Sequence, residues 1–111
     1  MAVFAAVAVN APDRVRESDW RKRDKQAFTE WARDNGGRDD YGKGIEEVHD
    51  DYDIVCAPHY PGGDRRRGAD YRIYLQVDSH GDGPPRVVRA ARGPLKVKPT
   101  QEGPKCGAMP E

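Results

Sequence analysis

The sequence lacks an excess of either charge, a long hydrophobic run and a high aromatic content. Its 111 residues carry 19 Lys and Arg against 19 Asp and Glu, whereas proteins dedicated to nucleic acids or membrane surfaces usually carry excess basic residues. The apolar opening, residues 1–9, is about half as long as a membrane span and has no basic leader. It is typical of a buried strand, with a trimmed remnant of a longer N-terminus as the alternative, and we expect no membrane partner.

Cysteine is also scarce, since only Cys56 and Cys106 occur. Two cysteines do not make a disulfide-rich scaffold. One bridge between a strand and the tail is open to the chain, but two reduced thiols in a cytosolic protein are favoured. We therefore expect a cytoplasmic protein, and the oligomeric state is not indicated.

One helix is predicted from about residue 13 or 18 to Asp34. Arg, Lys, Gln, Glu and Ala dominate this segment, and no Gly or Pro interrupts it. Trp20, Phe28 and Trp31 fall on one face, which Asp24 interrupts at its edge. The Asn-Gly-Gly sequence that follows, residues 35–37, supplies residues that tolerate a left-handed helix end.

Strands are predicted in the rest of the chain. Residues 71–77 alternate apolar and polar side chains, the period of a strand with one buried face. Residues 45–48 and 52–57 indicate one long or bent strand. Residues 86–91 can pair back as a further strand, and residues 95–97 as a short edge strand. Gly, Pro and charged residues dominate residues 99–111, which predicts a disordered tail.

This order of elements predicts an α+β protein with a single domain over residues 1–98. Consecutive strands joined by short loops pair antiparallel, and one amphipathic helix can cover one face of such a sheet. The predicted architecture is one helix packed across a four- to five-stranded antiparallel sheet.

No combination of residues predicts catalysis or a bound metal. His49, Asp51 and Asp53 carry metal-binding groups, but their spacing matches no established site. Cys56 lies in an apolar run, which predicts a buried and inert thiol rather than a nucleophile. We expect no enzyme activity, no metal and no cofactor.

An arginine-rich half of the chain favours a second hypothesis, RNA binding. Residues 61–111 carry 10 basic and 6 acidic groups, including Arg65, Arg66 and Arg67 in a Gly-rich loop. Arginines beside tyrosine rings are typical of proteins that bind single-stranded RNA. The element order is also similar to RelE-type ribonuclease toxins, although the balanced net charge and the lack of a second helix disfavour that class.

Short motifs in the helix and strands resemble those of the cystatins, particularly the plant members. Residues 28–32 (Phe-Thr-Glu-Trp-Ala) resemble the helix motif of that family. Residues 53–57 (Asp-Ile-Val-Cys-Ala) resemble its Gln-Val-Val-Ala-Gly segment, and residues 70–75 (Asp-Tyr-Arg-Ile-Tyr-Leu) resemble its following strand. The resemblance covers about residues 20–92.

The resemblance implies a non-catalytic binding protein that uses loops at one end of the sheet, with a papain-like cysteine protease as the family's partner. The implied contact residues are Asp53, Val55 and Ala57, with Pro94 and Leu95 in place of a Pro-Trp hairpin. Only Val55 keeps the residue type of its motif, so the resemblance implies an inhibitor with altered contacts.

The loop over residues 58–68 is the predicted binding surface. It is long for a hairpin connection, and ordered loops of this length are commonly functional. Tyr60 lies beside Arg65, Arg66 and Arg67, and Tyr and Arg are enriched at binding hot spots. A flexible, solvated insertion is the alternative interpretation.

Overall fold

The computed structural model describes residues 15–101 and 103–111, and it shows one helix packed against an antiparallel sheet. The elements are helix α1 (Glu17–Asp34) and strands β1 (Ile45–Val48), β2 (Asp53–His59), β3 (Tyr71–Asp78) and β4 (Arg86–Gly93). The sheet order is β1-β2-β3-β4, with each neighbouring pair antiparallel. The predicted α+β architecture is confirmed, while the strand expected over residues 1–9 lies outside the described residues.

Helix α1 ends where the sequence predicts. The chain leaves the helix through Gly36 and Gly37, whose φ angles are 125° and 98°. These angles suit glycine because it has no Cβ to clash with the backbone. The amide of Gly37 donates to the carbonyl of Ala32 at 2.6 Å, which satisfies one of the free carbonyls of the last turn.

Residues 45–57, expected as one bent strand, form the two paired strands of a hairpin. Strand β1 pairs with β2 from Ile45 opposite Cys56 to Val48 opposite Asp53. The amide of His49 donates to the carbonyl of Tyr52 at 2.9 Å, so the chain reverses over residues 50 and 51. Two consecutive aspartates favour a turn, because Asp is depleted in strands and enriched in turns.

The main core lies between α1 and the sheet. The alternation predicted for β3 directs Ile73, Leu75 and Val77 toward the helix, and all three are buried. Ala27 and Ala32 bring the helix close to this face, while Phe28, Trp31, Tyr71 and Val87 pack around it. Burying these apolar side chains is the main favourable contribution to the stability of the fold.

The C-terminal segment covers the other face of the sheet, although we expected it to be disordered. Ile54, Cys56 and Tyr74 form a second apolar cluster with Cys106, and Val97 and Met109 pack against it. A Cys56–Cys106 disulfide joins strand β2 to the segment. This covalent link and the burial of apolar side chains hold a segment whose composition alone predicts disorder. The expected edge strand at residues 95–97 does not form; Lys98 pairs with Lys105 instead.

The disulfide corrects the favoured interpretation of two reduced thiols. Disulfides persist mainly in oxidising compartments. The expectation of a cytoplasmic protein depended on reduced thiols and therefore loses that support. Within residues 15–101 and 103–111, no helix has both the length and the apolar content needed to cross a membrane.

Candidate binding surface

The loop between β2 and β3 is a folded segment held by hydrogen bonds. It contains two consecutive 3₁₀ turns, Pro61–Gly63 and Arg65–Arg67. Its first amide, that of Tyr60, donates to the carbonyl of Asp40 at 2.6 Å. The Asp64 carboxylate accepts a hydrogen bond from the Arg66 amide at 3.0 Å, which caps the second turn. These bonds favour an ordered loop over a flexible insertion.

One arginine of this loop packs on the Tyr60 ring, and the other two pair with Asp64. The guanidinium of Arg65 lies 4.3 Å from the ring centroid and donates to the Tyr41 carbonyl at 3.2 Å. Arg66 and Arg67 form ion pairs with Asp64 at 3.1 and 3.9 Å, with 92% and 79% of their side chains exposed. Arg65 therefore supports the ring, while Arg66 and Arg67 extend into solvent.

Pro94 and Leu95 lie at the same end of the sheet, immediately after β4. Arg72 donates to the Leu95 carbonyl at 3.0 Å, and the Tyr74 hydroxyl donates to the Pro94 carbonyl at 3.3 Å. Leu95 is 43% exposed. We call this surface the loop end; it comprises Tyr60, Arg65, Arg66, Arg67, Pro94 and Leu95.

The other three predicted contact residues lie inside the protein. Asp53, Val55 and Ala57 are consecutive inward-facing residues of β2, with exposed fractions of 0%, 5% and 0%. The family resemblance assigns them to a contact segment, but here α1 covers their side of the sheet. A rigid partner that docks on the surface cannot reach them. Their burial follows from the alternation of β2, which places every second residue on the helix face.

A histidine–aspartate pair lies beneath the loop end. His59 Nδ1 is 2.8 Å from an Asp70 carboxylate oxygen, and the imidazole stacks on the Tyr71 ring with centroids 4.5 Å apart. The hydrogen bond from His59 is the largest cause that lowers the pKa of Asp70 below its usual value. Arg92 lies over the Tyr71 ring at 4.2 Å, so a cation adjoins the aromatic stack. Burial raises the pKa of Tyr41, which contacts His59, to about 12.

The opposite end of the sheet contains a buried polar network that sequence reasoning missed. Its members are Asp24, Asp53, Ser79 and His80, all at most 2% exposed. The Ser79 hydroxyl donates to Asp24 at 2.6 Å, and His80 Nε2 lies 2.9 Å from an Asp53 oxygen. In the sequence, Asp24 is a break in the apolar face of the helix, and Ser79 and His80 follow the alternating residues of β3. Their polar side chains gave no signal of burial.

Two further contacts fix this network. The Trp20 indole stacks on His80 with ring centroids 3.6 Å apart. The Arg23 guanidinium donates to the carbonyls of Ser79, Gly81 and Gly83. Helix α1 thus holds the turn between β3 and β4 through one aromatic stack and one arginine.

The protonation of Asp24 is set by its surroundings. The pKa of Asp24 is raised to about 9, chiefly by burial and also by hydrogen bonding to the Asp53 and Glu46 carboxyl groups, while the Ser79 hydroxyl opposes the shift. A protonated Asp24 can donate to a neighbouring carboxylate. The second Asp24 oxygen is buried without a hydrogen-bond partner, which costs less for a neutral carboxyl group than for a carboxylate.

The network does not have the geometry of a nucleophile and its base. The Ser79 hydroxyl donates to Asp24, while His80 directs its ring nitrogens toward Asp53 and the Asp50 carbonyl. Cys56 is oxidised in a disulfide and offers no thiolate. In the described part of the chain, no three His, Cys, Asp or Glu side chains are grouped so that they could hold a metal ion. The arrangement suits a structural role.

Comparison with protein-family models, with curated proteins and with solved structures finds no match to this chain.

Proposed function

We propose that this protein is a non-catalytic binding protein that engages a protein partner through the loop end. The observation that carries the proposal is the Tyr60 ring, supported by Arg65 on a loop whose backbone is hydrogen-bonded into two turns. An ordered loop loses little conformational entropy on binding, which favours affinity. Tyrosine and arginine are also the side chains most enriched at binding hot spots.

An acidic patch on a protein surface is the partner chemistry that fits the loop end. Arg66 and Arg67 share a single carboxylate, Asp64, so the two arginines carry an excess of positive charge. Exposed ion pairs of this kind contribute little to stability, so either arginine can exchange Asp64 for a carboxylate of a partner. Leu95 adds an exposed apolar contact at the same end.

The resemblance to cystatins makes the proposal more specific, because it suggests a binding protein of the cystatin-like type. One helix followed by an antiparallel meander supports it. The burial of Asp53, Val55 and Ala57 means that a partner, a papain-like cysteine protease or another protein, would be engaged by the loop end instead of that segment. The proposed protein is then a cystatin-like binder whose contacts have moved.

Quantitative affinity capture tests the loop end. The wild type, an Arg66→Ala/Arg67→Ala double variant and an Arg33→Ala control are immobilised equally. Arg33 lies on the exposed face of α1, away from the loop end, so its variant shows the effect of losing a surface arginine elsewhere on the molecule. We expect a protein retained by the wild type and the control to bind the double variant at least about tenfold more weakly, or 1.4 kcal/mol. Equal retention by all three would refute the proposal.

Inhibition of papain tests the cystatin-like form separately. Hydrolysis of a fluorogenic peptide by papain is followed with increasing amounts of the protein. Inhibition that the Tyr60→Ala variant weakens would support a protease partner. Unchanged hydrolysis would exclude papain as a partner. Binding of another protein through the loop end would still be tested by the affinity capture experiment.

Binding of single-stranded RNA is the second candidate, and the exposure of Arg66 and Arg67 beside the Tyr60 ring is the observation that favours it. Arg65 already covers one face of that ring, so only the other face is open to a base. An RNA gel shift that weakens steeply as salt rises would support this candidate, because phosphate contacts release counterions. No shift at low salt would exclude it.

A further inference from the structure

A cleft of about 1050 Å³ lies alongside β1, the first strand of the sheet. One wall is a stripe of α1 that includes Lys25 and Phe28, and the other is the chain from Gly42 to Val48. Pro104 and Lys105, from the segment that covers the opposite face of the sheet, also line it. The helix on one face of the sheet and the C-terminal segment on the other both line the cleft. The cleft therefore runs along the edge of the sheet.

Strand β1 has backbone groups without partners on its outer side. Residues in an antiparallel pair alternate between hydrogen-bonded and non-hydrogen-bonded positions. His49 and Tyr52 are hydrogen-bonded, so the pairs that include Glu47 and Ile45 are bonded as well. The N–H and C=O groups of Glu46 and Val48 therefore point away from β2. Neither residue's backbone bonds to another residue of the described chain.

The charges that remain unpaired around the cleft are mainly positive. Glu46 is paired with Arg21 at 2.9 Å, and Glu47 accepts a hydrogen bond from the Gly107 amide at 2.5 Å. The neighbouring cations Lys25, Arg38 and Lys43 form no ion pair with the described residues; Asp39 and Glu47 are the acidic side chains beside them that no described cation neutralises. The wall of the cleft therefore favours an anionic occupant.

We propose that an extended acidic peptide segment of a partner protein binds along β1 as an added strand. Main-chain hydrogen bonds to Glu46 and Val48 would supply affinity, and the cations would select acidic side chains. The chain from Gly42 to Val48 spans about 20 Å when extended, which accommodates roughly six residues. This site goes beyond the loop end, with which it shares Arg65 alone.

Fluorescence anisotropy with two synthetic probes tests the site. One labelled ten-residue peptide alternates Glu and Val, and its matched counterpart alternates Lys and Val. We expect the wild type to bind the Glu/Val peptide at least about tenfold more tightly than the Lys/Val peptide. Replacing both Lys25 and Lys43 with Glu should remove that preference. Wild-type protein that fails to bind the Glu/Val peptide up to millimolar concentration overturns the proposal.

A proline at position 48 tests the added strand itself. Val48→Pro removes an amide that points away from β2, and an edge strand tolerates proline on that side. We expect it to weaken binding of the Glu/Val peptide at least about tenfold. Val48→Ala keeps the amide and should weaken binding by less than about threefold.

A Glu/Val peptide methylated on alternate backbone nitrogens should bind at least about tenfold more weakly than its parent. Equal binding by Val48→Pro, shown by circular dichroism to be folded, or by the methylated peptide, overturns the proposal. So does a wild-type dimer that Val48→Pro dissociates, because the occupant would then be a second copy of this chain.

Discussion

Each end of the sheet contains a histidine, an aspartate and an aromatic ring in contact, but the surroundings of the two sets differ. At one end His80 pairs with Asp53 at 2.9 Å and stacks on Trp20; at the other His59 pairs with Asp70 at 2.8 Å and stacks on Tyr71. The side chains of His80 and Asp53 are 3% and 0% exposed, against 17% and 46% for His59 and Asp70. Similar distances therefore accompany very different hydration.

This difference in burial indicates a structural role for the buried pair and leaves the exposed pair available for a role at the surface. Polar and charged groups removed from water are costly to leave without a partner, so breaking the buried pair should destabilise the fold. An exposed pair is solvated by water and contributes little, so its residues are free to serve a surface role. The loop end lies over the exposed pair, and this is where a partner can bind without disturbing the core.

Removing His80 should produce the largest effect. His80→Ala removes the nearest hydrogen-bond donor to the Asp53 carboxyl group, which stays buried. Removing one partner of a buried pair typically lowers the free energy of unfolding by about 3–5 kcal/mol. Urea unfolding followed by circular dichroism measures it. Asp78→Ala is the matched control, since it breaks the exposed ion pair with Arg86, and we expect a cost of about 0–1 kcal/mol. Equal midpoints for the two variants would contradict a structural role for the buried pair.

Replacing Asp24 with Asn should produce the next largest effect, and it depends on pH. Asp24 keeps its proton up to about pH 9 when folded but loses it near pH 3.8 when unfolded. Unfolding therefore releases a proton between these values, and stability falls as pH rises through this range. The amide introduced by Asp24→Asn cannot titrate, so this variant should gain on the wild type by on the order of 3 kcal/mol between pH 4 and pH 8.

Unfolding free energies at pH 4, 6 and 8 measure this gain. Ser79→Ala keeps the Asp24 carboxyl group and removes the hydrogen bond that opposes its pKa shift, so the stability of this variant should fall with rising pH at least as much as that of the wild type. A stability difference between Asp24→Asn and wild type that is constant with pH would show that Asp24 is ionised in the folded protein.

The fold could be predicted because its elements leave local signals. The alternation of residues 71–77 identified β3 and its buried face, and the Asn-Gly-Gly sequence identified the end of α1. The covering of the second face could not be predicted. It depends on Cys56 meeting Cys106, 50 residues away, and neither spacing nor composition reports that contact.

The candidate site could be predicted only in part, for a similar reason. Arg65, Arg66 and Arg67 lie in a loop rich in Gly and Pro, so their exposure follows from local sequence, while Tyr60 in the same loop is half-buried. Asp53, Val55 and Ala57 were assigned to a contact surface by resemblance, yet the register of β2 buries them. The network of Asp24 and Ser79 joins residues 55 apart, and a polar side chain in an amphipathic helix normally indicates exposure.

Replacing Asp70 with Asn should produce the smallest effect, with the opposite dependence on pH. The hydrogen bond from His59 lowers the pKa of Asp70, so the folded protein binds fewer protons than the unfolded chain as pH falls through the acid range. The stabilisation from Asp70 is present above its unfolded pKa, 3.8, and is lost as pH falls through the lower folded value. Asp70→Asn should therefore be slightly less stable than wild type at pH 7, and this difference should shrink as pH falls through the folded pKa of Asp70. A carbon-detected NMR titration that places the Asp70 pKa at or above 3.8 would contradict the hydrogen bond from His59, and a loss of stability as large as that of His80→Ala would show that the two ends are equivalent.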